Sequence, residues 1–118
     1  MTPVAELTNN LSVAGQIQPE DVKALAEHGY TMIICNRPDD EEPNQPSMDA
    51  IEAACNLAGV QFIRYPVSAM SFPGDDLDAM DEAMNGEAKA LAYCRSGARS
   101  TNLWVATRAG DERLAAAE

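Results

Sequence analysis

Short apolar bursts alternate along this chain with segments whose apolar residues recur every three or four positions. Leu11–Ala14 is the first burst and predicts a strand. Pro19 then stands at a first helical position, with Glu20 and Asp21 in the first turn, where acids suit the positive end of a helix dipole. Val22, Leu25 and Ala26 form one apolar face, and Gly29 is a stop. Tyr30–Cys35 is rich in β-branched residues and predicts a buried strand. Ser47 can cap a helix that turns Ile51, Ala54, Cys55 and Ala58 inward and closes at Gly59. Val60–Val67 predicts a third strand, and Asp75–Asn85 a helix with Leu77, Met80 and Met84 as core. Ala88–Cys94 is a fourth strand and Ser100–Ala109 a fourth helix, ended by Gly110.

This alternation predicts an α/β fold: a mainly parallel sheet of four to five strands flanked by helices. The length of 118 residues predicts a single domain over 1–118, with 111–118 as a frayed or shortened tail. Ligands of such folds bind at the carboxyl ends of strands. Three segments lie there: Asn36–Pro46, Ser68–Gly74, and the loop that follows Cys94. The first carries three prolines and four consecutive acids, Asp39–Glu42. It reads either as a functional loop or as a solvated one.

Charge narrows the partners. The formal net charge is −11 with only 8 Lys and Arg, which argues against nucleic acid and against an anionic membrane surface. No apolar run approaches the roughly 20 residues of a membrane span. Cys35, Cys55 and Cys94 form no CxxC pair, and His28 is the only histidine, so no metal or cofactor is implied. An odd cysteine count without a secretion signal predicts a reducing, cytoplasmic setting.

The chemistry gathers at Ala92–Ser100. An apolar strand ends at Cys94, and Arg95, Ser96, Gly97, Ala98, Arg99 and Ser100 follow. Loop N–H groups and a helix start favour anions, so the Cys94 thiol should ionise easily and act as a nucleophile. Gly97 permits positive φ and a close N–H. Arg99, at the helix start, is the better placed cation for an oxyanion, with Arg95 nearer the pocket mouth. Ser100 can donate to the thiolate or cap the helix. Arg37 is a candidate for the pocket rim. Asp76, or its neighbour Asp75, is a candidate general acid, although both also suit a helix start. Cys35 could resolve an oxidised Cys94, or be buried and inert.

Cys94–Arg99 resembles the six-residue active-site loop of rhodaneses. It also resembles the loop of tyrosine and dual-specificity phosphatases with one residue missing. A wider resemblance covers about residues 6 to 106. Leu11–Ile17, Ile34–Asp39 with Glu42–Pro46, Tyr65–Val67 and Ala92–Trp104 are similar to a bacterial family, the phosphatase-like domain of beta-lactamase-hydrolase-like proteins, also called sulfur transferases. The resemblance implies a dual-specificity-phosphatase-like α/β fold rather than a rhodanese fold, and implies Cys94 as nucleophile with Arg99 as anion ligand.

Three functions follow as expectations. The first is sulfane-sulfur transfer through a Cys94 persulfide, with thiosulfate or a persulfide as donor and a thiol as acceptor; the short loop favours it, and no leaving group needs a strong acid. The second is hydrolysis of a phosphate ester through a phosphocysteine, which the implied fold favours. The third is anion binding or oxidant sensing without turnover.

Overall fold

The computed structural model describes the backbone of residues 4–117 and the side chains of residues 4–108. The chain runs β1 (Val4–Glu6), β2 (Leu11–Ala14), α1 (Asp21–Glu27), β3 (Met32–Cys35), α2 (Met48–Ala58), β4 (Gln61–Arg64), α3 (Leu77–Met84), β5 (Ala90–Tyr93) and α4 (Ala98–Ala117). One sheet has the order β1-β2-β5-β3-β4. Strands β2, β5, β3 and β4 are parallel, and β1 is an antiparallel edge.

Alternation across the pleat sends side chains into two cores. Ile33, Cys35, Leu91 and Tyr93 meet Val22, Leu25, Ile51 and Cys55 of α1 and α2. Leu11, Val13, Ile34, Ala90 and Ala92 meet Met80, Met84 and Leu103 of α3 and α4. The small Ala90 and Ala92 let α3 and α4 approach the central strand β5. The result is a three-layer α/β/α sandwich with β5 buried along its whole length.

Beyond shifts of one or two residues at the ends of β3, α3 and β5, four features differ from the sequence reading. The edge strand β1 was not expected. Strand β4 stops at Arg64; Tyr65 and Val67 are buried, but they line the turn beyond the ladder. Helix α1 begins at Asp21 with Glu20 as cap, so Pro19 precedes it. Helix α4 starts two residues early and passes through Gly110. A helical glycine costs about 1 kcal/mol against alanine, a penalty that flanking helix formers can offset.

The parallel connections bring the carboxyl ends of β2, β3, β4 and β5 to one edge. Adjacent there are Gly15–Gln16, the 36–46 loop, the 65–76 loop and the Cys94 loop.

Candidate active site

Cys94 follows the last residue of β5, and its N–H donates to Ala14 O at 3.3 Å. That bond ties the start of the loop to the neighbouring strand. Gly97 takes φ of +94°, a conformation few other residues adopt, and its N–H donates to Cys94 Sγ at 3.1 Å. Helix α4 begins at the next residue, and Ser100 lies in its first turn, fully buried. Burial pushes the Cys94 thiol up. The N–H groups of Ser100 and Ser96, the Ser100 hydroxyl and the Gly97 N–H outweigh it, and the thiol lies below its ordinary value. The Ser100 hydroxyl has no other partner of ordinary geometry among the described residues, and so it is available to the sulfur.

The thiol opens into a cleft of about 440 Å³ lined by Ser68, Ala69, Phe72, Cys94, Arg95, Ser96, Ala98, Arg99 and Asn102. The floor is the Cys94 loop, and one wall is the 68–72 loop. Among the described residues the cleft lining contains no carboxylate.

The three arginines are tied together by two glutamates that the sequence reading did not single out. Arg37 is buried, and its guanidinium donates to Glu41 Oε1 at 2.9 Å, Glu42 Oε1 at 2.7 Å and Gln16 Oε1 at 3.0 Å. Glu41 also meets Arg99, Nη1 to Oε2 at 3.2 Å. Glu42 also meets Arg95, Nε to Oε1 at 3.0 Å. Arg99 is further fixed by the carbonyls of Val67 at 2.9 Å and Asn36 at 3.4 Å. Desolvation works to raise Glu41, but the hydrogen bonds from Arg37 and Arg99 prevail and hold it below the usual carboxylate range. The acid run at the end of β3 was the available signal for this network. What the sequence does not reveal is that β3 pairs with β5, which sets that run beside the Cys94 loop.

Arg37 thus sits behind the cleft rather than on its lining, as the buried anchor of the 38–46 loop. Asp76 is the cap of α3: its Oδ1 accepts from Ala79 N–H at 3.1 Å, and its own N–H donates to the Tyr65 hydroxyl at 3.1 Å. Asp75 and Asp76 are both exposed and off the cleft lining. Cys35 shares a face with Tyr93, its register partner, and donates to Arg37 O at 3.2 Å. Burial raises its thiol despite bonds to Tyr93 and Arg37. The first residue after Tyr93 is Cys94, whose sulfur turns into the loop instead. Cys55 is core, its thiol pushed up to about 11 by burial. Among the described residues no group of three His, Cys, Asp or Glu side chains is arranged to hold a metal ion, and no helix is long and apolar enough to cross a membrane.

A thiolate in a nest of N–H donors, with guanidinium groups on its flank, is a nucleophile poised toward an oxyanion. The family model for the phosphatase-like domain of beta-lactamase hydrolase-like proteins matches residues 4–111. The chain belongs to this family. The beta-lactamase hydrolase-like protein of Xylella fastidiosa is 34% identical over 112 residues, which are 94% of this chain and 26% of that protein. The phosphatase-like domain therefore spans about a quarter of the curated relatives it matches. A candidate phosphatase from Neisseria meningitidis has a crystal structure that superposes with a TM-score of 0.78 at 35% identity, covering 91% of this chain and 77% of that one. Tk-PTP, at 18% identity and a TM-score of 0.65 over 88% of this chain and 69% of its own, shares the fold. The phosphatase-like fold expected from the sequence is the fold observed.

Proposed function

We propose that this phosphatase-like domain is a cysteine-dependent hydrolase of small phosphate esters. Cys94 Sγ attacks phosphorus, the P–O bond to the alcohol or phenol breaks and that group departs as a phosphocysteine forms, and water then cleaves the P–S bond, releasing phosphate and restoring the Cys94 thiolate. The observation that carries the reading is the Gly97 N–H donating to Cys94 Sγ at 3.1 Å at the start of α4; together with the Ser100 and Ser96 N–H groups it favours thiolate, and such a loop offers donors to an equatorial oxyanion. Arg99 is the guanidinium ligand of the bound group, and Arg95, Ser96, Gly97, Ala98 and Ser100 form the cradle. The family and the Neisseria relative support phosphoryl chemistry. With no carboxylic acid on the cleft lining, the preferred esters are those whose leaving group departs unprotonated, such as aryl phosphates.

A second reading is sulfane-sulfur transfer through a Cys94 persulfide. The same cleft lining favours it, because a departing sulfite or thiolate needs no acid, and so does the short span from Cys94 to Arg99. The donor would be thiosulfate or a persulfide and the acceptor a second thiol.

One preparation tests both. Hydrolysis of 4-nitrophenyl phosphate and transfer from thiosulfate to a thiol are followed side by side, with Cys94→Ser as control. Hydrolysis that the variant loses supports the first reading. Transfer without hydrolysis replaces it with the second. Activity that survives Cys94→Ser removes both.

A further inference from the structure

Beyond the Cys94 loop and α4, the cleft is lined by Ser68, Ala69 and Phe72. The Ser68 hydroxyl is already engaged: it accepts from Ser71 N–H at 3.2 Å and lies 3.2 Å from Ser71 Oγ. Ala69 offers a methyl group, and Phe72 a ring that stays 39% exposed. An exposed phenylalanine beside a cradle of N–H donors divides the cleft into a polar floor and an apolar wall. That layout suits an oxyanion that carries an apolar substituent.

The wall is built to keep its shape. Phe72 N–H and Ser71 N–H both donate to Ser68 O, at 3.0 and 3.2 Å, and Ser68 N–H donates to Ser71 Oγ at 2.9 Å. Gly74 closes the turn with φ of +83°, and its N–H donates to Ser71 O at 2.6 Å. A Cβ at Gly74 would collide with the Tyr65 hydroxyl. That hydroxyl itself donates to Pro73 O at 2.8 Å and accepts from Asp76 N–H at 3.1 Å. At its other end the wall is tied to the floor, because Arg99 donates to Val67 O at 2.9 Å. The guanidinium assigned to the anion therefore also fixes the wall beside it, and a wall ordered in advance loses little freedom when a ring packs on it. We propose that Phe72 is the specificity-determining residue of the cleft: its ring packs against an aromatic group on the oxyanion, so that the site takes aryl phosphates in preference to esters of small alcohols. Met70, on the same loop, is 99% exposed but off the cleft lining, so it lacks this role. The inference rests on the cleft being the phosphate-ester site. It adds affinity to a preference that the leaving group alone would give, and the two are separable by a ligand that does not react.

The test uses phenylphosphonate and methylphosphonate as protectants of Cys94 against iodoacetamide, under mildly alkaline conditions where both are dianions. The two present the same oxyanion and differ only in the apolar group. Alkylation is read at Cys94 by peptide mass mapping. In the unsubstituted protein phenylphosphonate should protect at a concentration about tenfold lower than methylphosphonate. Phe72→Ala is expected to raise the half-protecting concentration of phenylphosphonate about tenfold and to leave that of methylphosphonate within about twofold, which also shows that the cradle is intact. Phe72→Tyr keeps the ring and Met70→Ala keeps the wall, so both should retain the preference. Equal protection by the two phosphonates, a preference that survives Phe72→Ala, or its loss in Phe72→Tyr or Met70→Ala overturns the proposal while leaving the anion site in place. Absence of protection by either ligand overturns the site reading and the proposal together. The expected protection pattern in a protein that does not hydrolyse 4-nitrophenyl phosphate would uphold the wall and remove the hydrolase.

Discussion

Glu41 Oε1 accepts from Arg37 Nε at 2.9 Å, joining two residues four apart in the loop that leaves β3. The guanidinium is buried and the carboxylate also meets Arg99, so the pair couples the core of the domain to Arg99. Arg37→Met is expected to destabilise the fold by about 2–3 kcal/mol, because it strips two glutamates of a shared cation that water replaces only in part. Arg37→Lys should recover little, since an ammonium on a single stem cannot reach Gln16, Glu41 and Glu42 with the geometry of a planar fork. Urea unfolding checks both. A loss below about 0.5 kcal/mol in Arg37→Met would place the residue among ordinary surface arginines.

Much of this arrangement was readable in the chain and part of it was not. Leu11–Ala14 is a strand as expected, because all four residues are buried between helices on both faces. The Cys94 loop was readable because its residue types have no use in a core. Strand β1 was not, since Val4 is only half-buried and the element is three residues long. Its return depends on a local turn in which the Thr8 hydroxyl accepts from Leu11 N–H at 2.9 Å. The partnership of Glu41 with Arg99 was out of reach for a different reason. It follows from β5 lying beside β3, which is a property of strand order and not of any local pattern. Asp76 shows the limit from the other side: a residue type fit for two roles is resolved only by what its oxygen touches.

The donors around Cys94 make a claim about pH. Burial alone would raise the thiol, and the Ser100, Ser96 and Gly97 groups reverse it. The rate of iodoacetamide alkylation at Cys94 should therefore reach half its maximum below the value of about 8.5 of an unperturbed thiol. Ser100→Ala should move that midpoint upward. For stability, a folded value lower than the unfolded one means that the thiolate contributes above the unfolded thiol's pKa, and that the contribution is lost as pH falls through the folded value. A midpoint at or above the unperturbed value in the unsubstituted protein would take away the nucleophile that both proposed reactions need.

Gly97→Ala tests the loop itself. At φ of +94° an added Cβ is strained whatever the space, and here it would also stand 3.5 Å from the Ala14 carbonyl. The expected cost is about 1–3 kcal/mol if the loop keeps its shape. If the loop instead relaxes, the Gly97 N–H leaves Cys94, and the alkylation midpoint rises with little loss of stability. Urea unfolding and the pH profile together separate the two. No change in either would show that the Gly97 conformation is not needed for the cradle.

Asp76 decides whether hydrolysis uses an acid from α3. As a cap, its carboxylate satisfies Ala79 N–H, and asparagine can do the same with its amide oxygen. Asp76→Ala is expected to cost about 1 kcal/mol of stability, and Asp76→Asn a few tenths. Neither should change the rate with 4-nitrophenyl phosphate by more than about twofold, whereas loss of a general acid removes about a hundredfold or more from esters with poor leaving groups. Alkyl phosphates make the comparison sharper, because their alkoxide must be protonated as it leaves. If Asp76→Asn stays folded and selectively loses alkyl ester hydrolysis, the 73–76 segment must move onto the cleft during turnover. The hydrogen bond from Asp76 N–H to the Tyr65 hydroxyl would then be the contact that such a movement breaks.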